Sequence, residues 1–98
     1  MFTLIPTNQF EKDLKKLKKR SVKNAGLIVD FLTELEKSGA VGIDKKHRPH
    51  KLSGNYKDNW EAHIKPDMLI IWFEITDKNE IVLLRAGSHS DLFWASPS

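Results

Sequence analysis

The feature that most constrains the fold is a set of three strand-length segments between residues 60 and 86, joined by connections too short for a helix. In residues 60–65, "WEAHIK", apolar and polar side chains alternate, which is typical of a strand with one buried face. Residues 68–76 form a segment that is apolar on both faces in its middle, and residues 80–86 form the third segment. The turn-like connections "KPD" and "TDKNE" therefore predict an antiparallel meander with the middle segment inside the sheet.

The first half of the chain predicts one strand followed by two helices. Residues 2–6 have the composition of a short strand. Asn8 and Glu11 have the spacing of a capping box, so Asn8 is expected to cap the first helix. Ser21 is placed to cap a second helix, and Gly39 is placed to end it. Two helices joined by so short a link should pack as a hairpin.

Together these segments predict a small α+β domain with the order β-α-α-β-β-β, in which the helices pack on one face of the sheet. The other face is expected to stay partly open, and a further short strand is expected near residues 50–52. Leu69, Ile71 and Leu83 are expected to form the core together with apolar residues of the helices. We assign residues 1–93 to this single domain and residues 94–98 to a short C-terminal tail.

The sequence lacks the marks of an exported or membrane protein. Its N-terminus has no basic start followed by a long apolar run, as a signal peptide would. The longest apolar run, residues 68–73, is too short to cross a bilayer. The chain has no cysteine, which fits a reducing compartment. We therefore expect a cytoplasmic protein without a membrane partner.

The basic residues are concentrated in two clusters, although the net charge is only +3. The first cluster is Lys12, Lys15, Lys16, Lys18, Lys19, Arg20 and Lys23. The second cluster is Lys45, Lys46, Arg48, Lys51 and Lys57. Such clusters suit a polyanion, because binding to phosphates releases counterions. The first cluster fits a solvated helix face equally well, whereas the second lies beside three of the four histidines.

All four histidines lie between residues 47 and 89. If the apolar residues of "WEAHIK" face the helices, His63 must point to the open face of the sheet. Asp67 follows in the next turn, and an antiparallel meander brings the start of one strand close to the end of another. The residues that such a sheet can bring together are His50, His63, Asp67, Arg85 and His89.

This set of side chains fits the cleavage of RNA by its own 2′-hydroxyl. A histidine or carboxylate can deprotonate the 2′-hydroxyl, and a second histidine can protonate the leaving 5′-oxygen. An arginine can stabilise the phosphate between them. This chemistry needs no metal and no other cofactor, and we predict none. A metal site is the rival interpretation, because His47 and His50 have the spacing H-x2-H and His63 and Asp67 have the spacing H-x3-D, but neither is a recognised zinc signature.

The stretches "HKLSGNYKDNWEAHIKPDMLIIW" and "LLRAGSHSDLF" resemble the RelE/ParE superfamily of toxin–antitoxin toxins, and in particular its YafQ-like branch of mRNA interferases. The shared pattern is a histidine before L-x-G, then H-I/V-x-P-D, a hydrophobic strand, and finally R-x-G-S/T-H-x-x-L-F. The resemblance covers nearly the whole chain. The positions that match are His50, His63, Asp67, Arg85, His89 and Phe93.

The resemblance implies a ribosome-dependent endoribonuclease that cuts mRNA and is neutralised by a cognate antitoxin. It implies a catalytic set of His50, His63, Asp67 and His89. His89 would be the general acid, and either Asp67 or His63 would be the base. Arg85 would stabilise the phosphate, and Phe93 would stack on a base. Arg48 and Lys51 of the second basic cluster are further predicted RNA contacts.

Simpler interpretations remain for single residues and for the whole chain. Asp67 could be only a turn residue, and Arg85 could pair with Glu61 or Glu74. The chain could be a non-catalytic ribosome- or RNA-binding protein, which would bind with a steep salt dependence and cut nothing. It could also be a ParE-like gyrase inhibitor, which would leave RNA intact. The histidine set argues against the gyrase inhibitor, because toxins of that class lack it.

Overall fold

The computed structural model describes residues 1–52 and 58–94, without the side chains at positions 93 and 94. Its helices and strands are β1 (Thr3–Pro6), α1 (Asn8–Arg20), α2 (Val22–Ser38), β2 (His50–Lys51), β3 (Trp60–Lys65), β4 (Met68–Ile75) and β5 (Glu80–Gly87). A short π-helical turn, Ser90–Trp94, follows β5. The predicted α+β order is confirmed, with the additional short strand β2 where it was expected. The proposed tail of residues 94–98 falls almost wholly outside the described residues.

The sheet has five strands in the order β1-β5-β4-β3-β2. The strands β3, β4 and β5 form the predicted antiparallel meander, and β2 pairs antiparallel with β3. The strand β1 pairs parallel with β5, from Thr3–Glu80 to Pro6–Leu83, which makes the sheet mixed. The apolar strand β4 therefore lies at the centre of the sheet, as its two apolar faces predicted.

Both helices begin at residues whose hydroxyl groups cap them. Thr7, and not the predicted Asn8, caps α1, because its hydroxyl accepts a hydrogen bond from the amide three residues on. The same hydroxyl donates to the carbonyl oxygen of Leu83 at 2.9 Å, which ties the start of α1 to β5. Ser21 caps α2, and Gly39 ends it with a φ of 69°, as predicted. Neither described helix has the length and apolar character that a membrane crossing requires.

The main core lies between the two helices and one face of the sheet. Its largest buried members are Phe10, Ile28, Phe31, Leu35, Ile70, Trp72, Ile81 and Leu83. Each such side chain stabilises the fold by about 1.5–3 kcal/mol relative to an exposed one. Trp60, Ala62 and Ile64 face this core, as their alternation predicted. His63 accordingly lies toward the opposite face.

A second, smaller core lies on the opposite face of the sheet. Leu69 and Ile71 are buried there under Leu92, with Leu52 and Leu84 packed against them. These two β4 residues were expected against the helices, but side chains alternate along a strand, and their neighbours at positions 70 and 72 occupy the helix side. The short turn that follows β5 thus covers the middle of the face that was predicted to be open.

Candidate active site

Backbone pairing aligns the polar residues of the face opposite the helices in two rows. The first row crosses four strands and consists of His50, Glu61, Ile71 and Arg85. The second row consists of His63, Leu69 and Gly87. Because neighbouring strands are about 4.8 Å apart, Arg85 lies roughly 10 Å from Glu61 along the first row. The small core under Leu92 occupies the space between them.

Glu61 lies between the side chains of His50 and His63. It is only 5% exposed, and its Oε1 atom lies 3.2 Å from Nε2 of His50 and 3.6 Å from Nε2 of His63. The two imidazole rings are nearly parallel, with centroids 6.4 Å apart. The sequence did not single out Glu61 as a functional residue. The available signal was its place two residues before His63, which puts both side chains on the same face of β3.

The hydrogen bonds of His50 define where its protons are. Nδ1 lies 2.7 Å from the carbonyl oxygen of Arg48, and a carbonyl can only accept, so Nδ1 carries a proton. Nε2, on the other side of the ring, faces the buried carboxylate of Glu61 at 3.2 Å. The ring is thus held between a backbone carbonyl and a carboxylate.

His63 links this group to the other two predicted catalytic residues. Its ring centroid lies 5.9 Å from that of His89. Nδ1 of His89 lies 3.9 Å from Oδ1 of Asp67, and the backbone amide of His89 donates to the same oxygen at 3.4 Å. The structure thus brings together all four of the predicted catalytic residues. Within the described part of the chain, Nδ1 of His63 is buried without a hydrogen-bond partner.

Arg85 is held from the side of helix α1. Its Nε and Nη2 atoms donate to the carboxylate of Asp13 at 2.8 and 3.3 Å. The sequence suggested Glu61 or Glu74 as partners, because both lie on neighbouring strands. Asp13 takes this place because α1 packs along β5 where the pairing with β1 ends.

The remaining predicted residues lie apart from the histidine cluster. Lys51 follows His50 on β2 and points to the other face, where its Nζ lies 5.7 Å from the ring centroid of Trp60. His47 also lies on the helix side: its Nδ1 binds the carbonyl oxygen of His63 at 2.7 Å, so it does not converge with His50. Arg48 is exposed at the rim. The side chain of Phe93 lies outside the described residues.

The turn that carries the C-terminal residues is tied to helix α1 through Asp91. This carboxylate lies 3.8 Å from Nζ of Lys16 and 3.4 Å from Nη1 of Arg20, and it accepts from the amide of Ser88. Burial raises the pKa of the Asp91 carboxyl, but the hydrogen bonds from Ser88 and the two positive charges outweigh it. The pKa therefore lies below its ordinary value. These contacts hold the segment that begins with His89 over the sheet.

Known proteins resemble this chain over nearly its whole length. A family model described as "Bacterial toxin of type II toxin-antitoxin system, YafQ" matches residues 2–94. The mRNA interferase toxin YafQ of Escherichia coli K12 is 30% identical over 87 residues, or 89% of this chain and 90% of that protein. A metal-bound toxin structure from Helicobacter pylori is 35% identical, with a TM-score of 0.80 over 95% of this chain and 100% of that one. The Escherichia coli DinJ–YafQ complex gives 28% identity and a TM-score of 0.77, over 95% and 99%.

The metal-bound relative raises the question whether this chain offers a comparable donor set. Structural and catalytic zinc or copper sites need at least three converging donors. In residues 1–52 and 58–94, no group of three or more histidine and carboxylate side chains could hold a metal ion. Oε1 of Glu61 instead lies between the two imidazoles, 3.2 Å from Nε2 of His50 and 3.6 Å from Nε2 of His63. The described donors therefore do not fit a metal centre.

Proposed function

Because the chain belongs to the YafQ family of bacterial toxins of type II toxin–antitoxin systems, we propose that it cuts mRNA on the ribosome by attack of the RNA's own 2′-hydroxyl. Its enzyme class is endoribonuclease, as in the mRNA interferases that are 30% identical to it. The observation that carries the proposed mechanism is the convergence of three imidazoles and two carboxylates on one face of the sheet. Membership in the wider RelE/ParE superfamily is part of the same proposal.

The proposed reaction is a transesterification followed by release of the 5′-hydroxyl product. A base removes the proton of the 2′-hydroxyl, and the oxygen attacks the neighbouring phosphorus. The new bond between phosphorus and the 2′-oxygen replaces the bond to the 5′-oxygen, which leaves with a proton from a general acid. The products are a 2′,3′-cyclic phosphate and a 5′-hydroxyl end. A well-placed acid or base each accelerates such a step about 10²–10⁴-fold.

Exposure of the side chains supports an assignment of the acid and the base. His89 and Asp67 are 54% and 79% exposed, so both can reach a bound RNA strand. His89 is the proposed acid, because an exposed imidazole can deliver a proton to the leaving 5′-oxygen. Asp67 is the proposed base. His63 is only 17% exposed and faces Glu61. We therefore assign it to orienting the more exposed catalytic residues, beneath which it lies.

In this proposal two groups contact the phosphate, from opposite ends of the first row. His50, whose Nε2 lies 3.2 Å from Oε1 of Glu61, is 48% exposed beside the proposed acid and base. Arg85 stabilises the phosphate from the other end of the row. Electrostatic stabilisation of the crowded phosphorus is the largest single contribution in many enzymes of this kind. Arg48 and Phe93 remain proposed RNA contacts at the rim.

A cognate antitoxin is the proposed protein partner. The support is the relative in the DinJ–YafQ complex, which shares the fold and 28% of its residues with this chain. The antitoxin would block access of mRNA and ribosome to the histidine cluster. Because the proposed acid and base are exposed, a protein bound to this face would cover them.

Primer extension on mRNA from a purified translation system tests this function. New breaks within codons, seen only with ribosomes and wild-type protein, are expected. His89→Ala and Asp67→Ala should each lose about 10²–10⁴-fold in cleavage rate while circular dichroism shows an intact fold. Wild-type-like cleavage by both variants would contradict the assignment of His89 as the acid and Asp67 as the base. Intact mRNA with blocked translation would instead identify a plain ribosome binder.

A further inference from the structure

Asp13 is a buried carboxylate on a lysine-rich helix, and the proposed reaction does not use it directly. Its two oxygens accept four hydrogen bonds, from Arg85 Nε at 2.8 Å, Arg85 Nη2 at 3.3 Å, the Ala86 amide at 3.0 Å and Gln9 Nε2 at 3.1 Å. Burial of a carboxylate is costly unless it is paired and hydrogen-bonded in this way. The buried group thus has a specific task at this position.

The task follows from the way the sheet ends. The pairing of β1 with β5 stops at Pro6 and Leu83, and the chain then turns into α1. Beyond that point Oδ2 of Asp13 accepts the amide of Ala86, as a neighbouring strand would. The same oxygen accepts from Nε of Arg85. One carboxylate therefore fixes both the backbone of β5 and the guanidinium that β5 carries.

We propose that Asp13 is a positioning residue, which holds the guanidinium of Arg85 in the orientation that receives the scissile phosphate. This inference rests on the proposed nuclease function. Arg85 alone could occupy many rotamers, and a carboxylate bound along its Nε–Nη2 edge fixes the planar fork. The side chain of Arg85 stays 24% exposed, so it is accessible to a ligand from outside.

Positioning differs from two simpler roles in what it does to the kinetics. If Asp13 only offset the charge of Arg85, its removal would tighten RNA binding and leave the cleavage step unchanged. If Asp13 only tied α1 to β5, its removal would lower the Tm and affect cleavage no more than any other destabilising change. A positioning residue instead acts on kcat, and only while Arg85 is present.

The test is a double-mutant cycle with Asp13→Asn and Arg85→Gln, measured as single-turnover cleavage of mRNA on programmed ribosomes. Asp13→Asn should lower the cleavage rate about tenfold to a hundredfold, as expected for a misplaced catalytic group. In the Arg85→Gln background the same change should cost less than about twofold, because coupled residues are not additive. Ile28→Val is the matched control, because it loosens the buried core of α2 without touching Arg85.

Gln9, the other side chain that donates to Asp13, offers a second variant. Gln9→Ala removes one donor to Asp13 and leaves the carboxylate in place, so it should slow cleavage a few-fold even if Asp13→Asn does not fold. Equal losses from Asp13→Asn with and without Arg85, or a loss matched by Ile28→Val at equal Tm, would overturn the positioning role alone. A wild-type protein that cuts no RNA would overturn the proposed function together with it.

Discussion

Nε2 of His50 lies 3.2 Å from Oε1 of Glu61, a carboxylate that β3 carries on the same face as His63. This contact joins the first residue of β2 to a buried carboxylate on its neighbouring strand. It holds the ring of His50 on the face that carries the proposed acid and base, while the carboxylate itself stays buried.

Replacement of Glu61 by glutamine should weaken this arrangement without leaving a cavity. The amide keeps the volume but loses the negative charge of the carboxylate that lies 3.2 Å from Nε2 of His50. Cleavage of ribosome-bound mRNA should fall about tenfold to a hundredfold, as for other misplaced catalytic groups. Glu34→Gln, which alters an exposed carboxylate of α2 paired with Lys37, is the control and should cut at the wild-type rate. Equal rates for Glu61→Gln and wild type would show that the buried charge has no part in catalysis.

Neighbouring residues of β2 should differ sharply in their effect, because they point to opposite faces. His50→Ala removes the imidazole that faces Glu61 and should slow cleavage at least about tenfold, within the range for electrostatic contributions. Lys51→Ala removes a side chain that lies over Trp60, and it should change the cleavage step less than about threefold. Both variants can be compared in one single-turnover series. A larger loss in Lys51→Ala would place the RNA on the helix side of the sheet.

The tie between Asp91 and α1 should weaken in acid. The pKa of this carboxyl is lower in the folded protein than in the unfolded chain, so its contribution to stability is present above about pH 4 and is lost as the pH falls through the folded value. Asp91→Asn should flatten this part of the stability–pH curve, measured by urea unfolding between pH 2 and 6, roughly the range over which such carboxyls titrate. Asp77→Asn, in the turn between β4 and β5, is the control. An unchanged acid limb in Asp91→Asn would contradict the assignment.

Substitution by alanine should change the free energy of unfolding in opposite directions at Gly26 and Gly39. A Cβ at Gly26, in the middle of α2, would meet nothing within 4 Å, so Gly26→Ala should raise the free energy of unfolding by about 0.5–1 kcal/mol. Gly39 has a φ of 69°, and a Cβ there would lie 3.1 Å from the ring of Phe2. Gly39→Ala should therefore lower the free energy of unfolding by about 1 kcal/mol or more. Urea titrations of both variants give the two signs directly.

Much of the fold followed from local pattern alone. The alternation in "WEAHIK" and the short connections around β4 fix the meander, and they place His63 opposite the helices. The cap of α1 was misassigned by one residue, because the choice between Thr7 and Asn8 depends on a bond to Leu83 that lies at the other end of the chain. Leu69 and Ile71 were expected to pack against the helices. They pack under Leu92 instead, and the residues next to them in sequence give no sign of this contact.

The candidate site was predicted in its histidines and missed in its buried carboxylates. Glu61 and Asp13 are charged residues whose burial arises only from non-local pairing, with β2 in one case and β5 in the other. A motif shows which residues share a pattern, but register decides which of them touch. Lys51 and His50 are adjacent in sequence and were grouped together, whereas the strand separates them onto two faces.

The parallel pairing of β1 with β5 determines when the sheet can be completed during synthesis of the chain. It joins residues 3–6 to residues 80–83, so the first strand can find its place only after nearly the whole chain has been made. Contacts of such sequence separation slow folding, because loop closure must come first. His89 lies beyond the closing strand. A nascent chain therefore has neither a finished sheet nor the complete set of proposed catalytic residues, so the proposed nuclease cannot act until its own synthesis is nearly over.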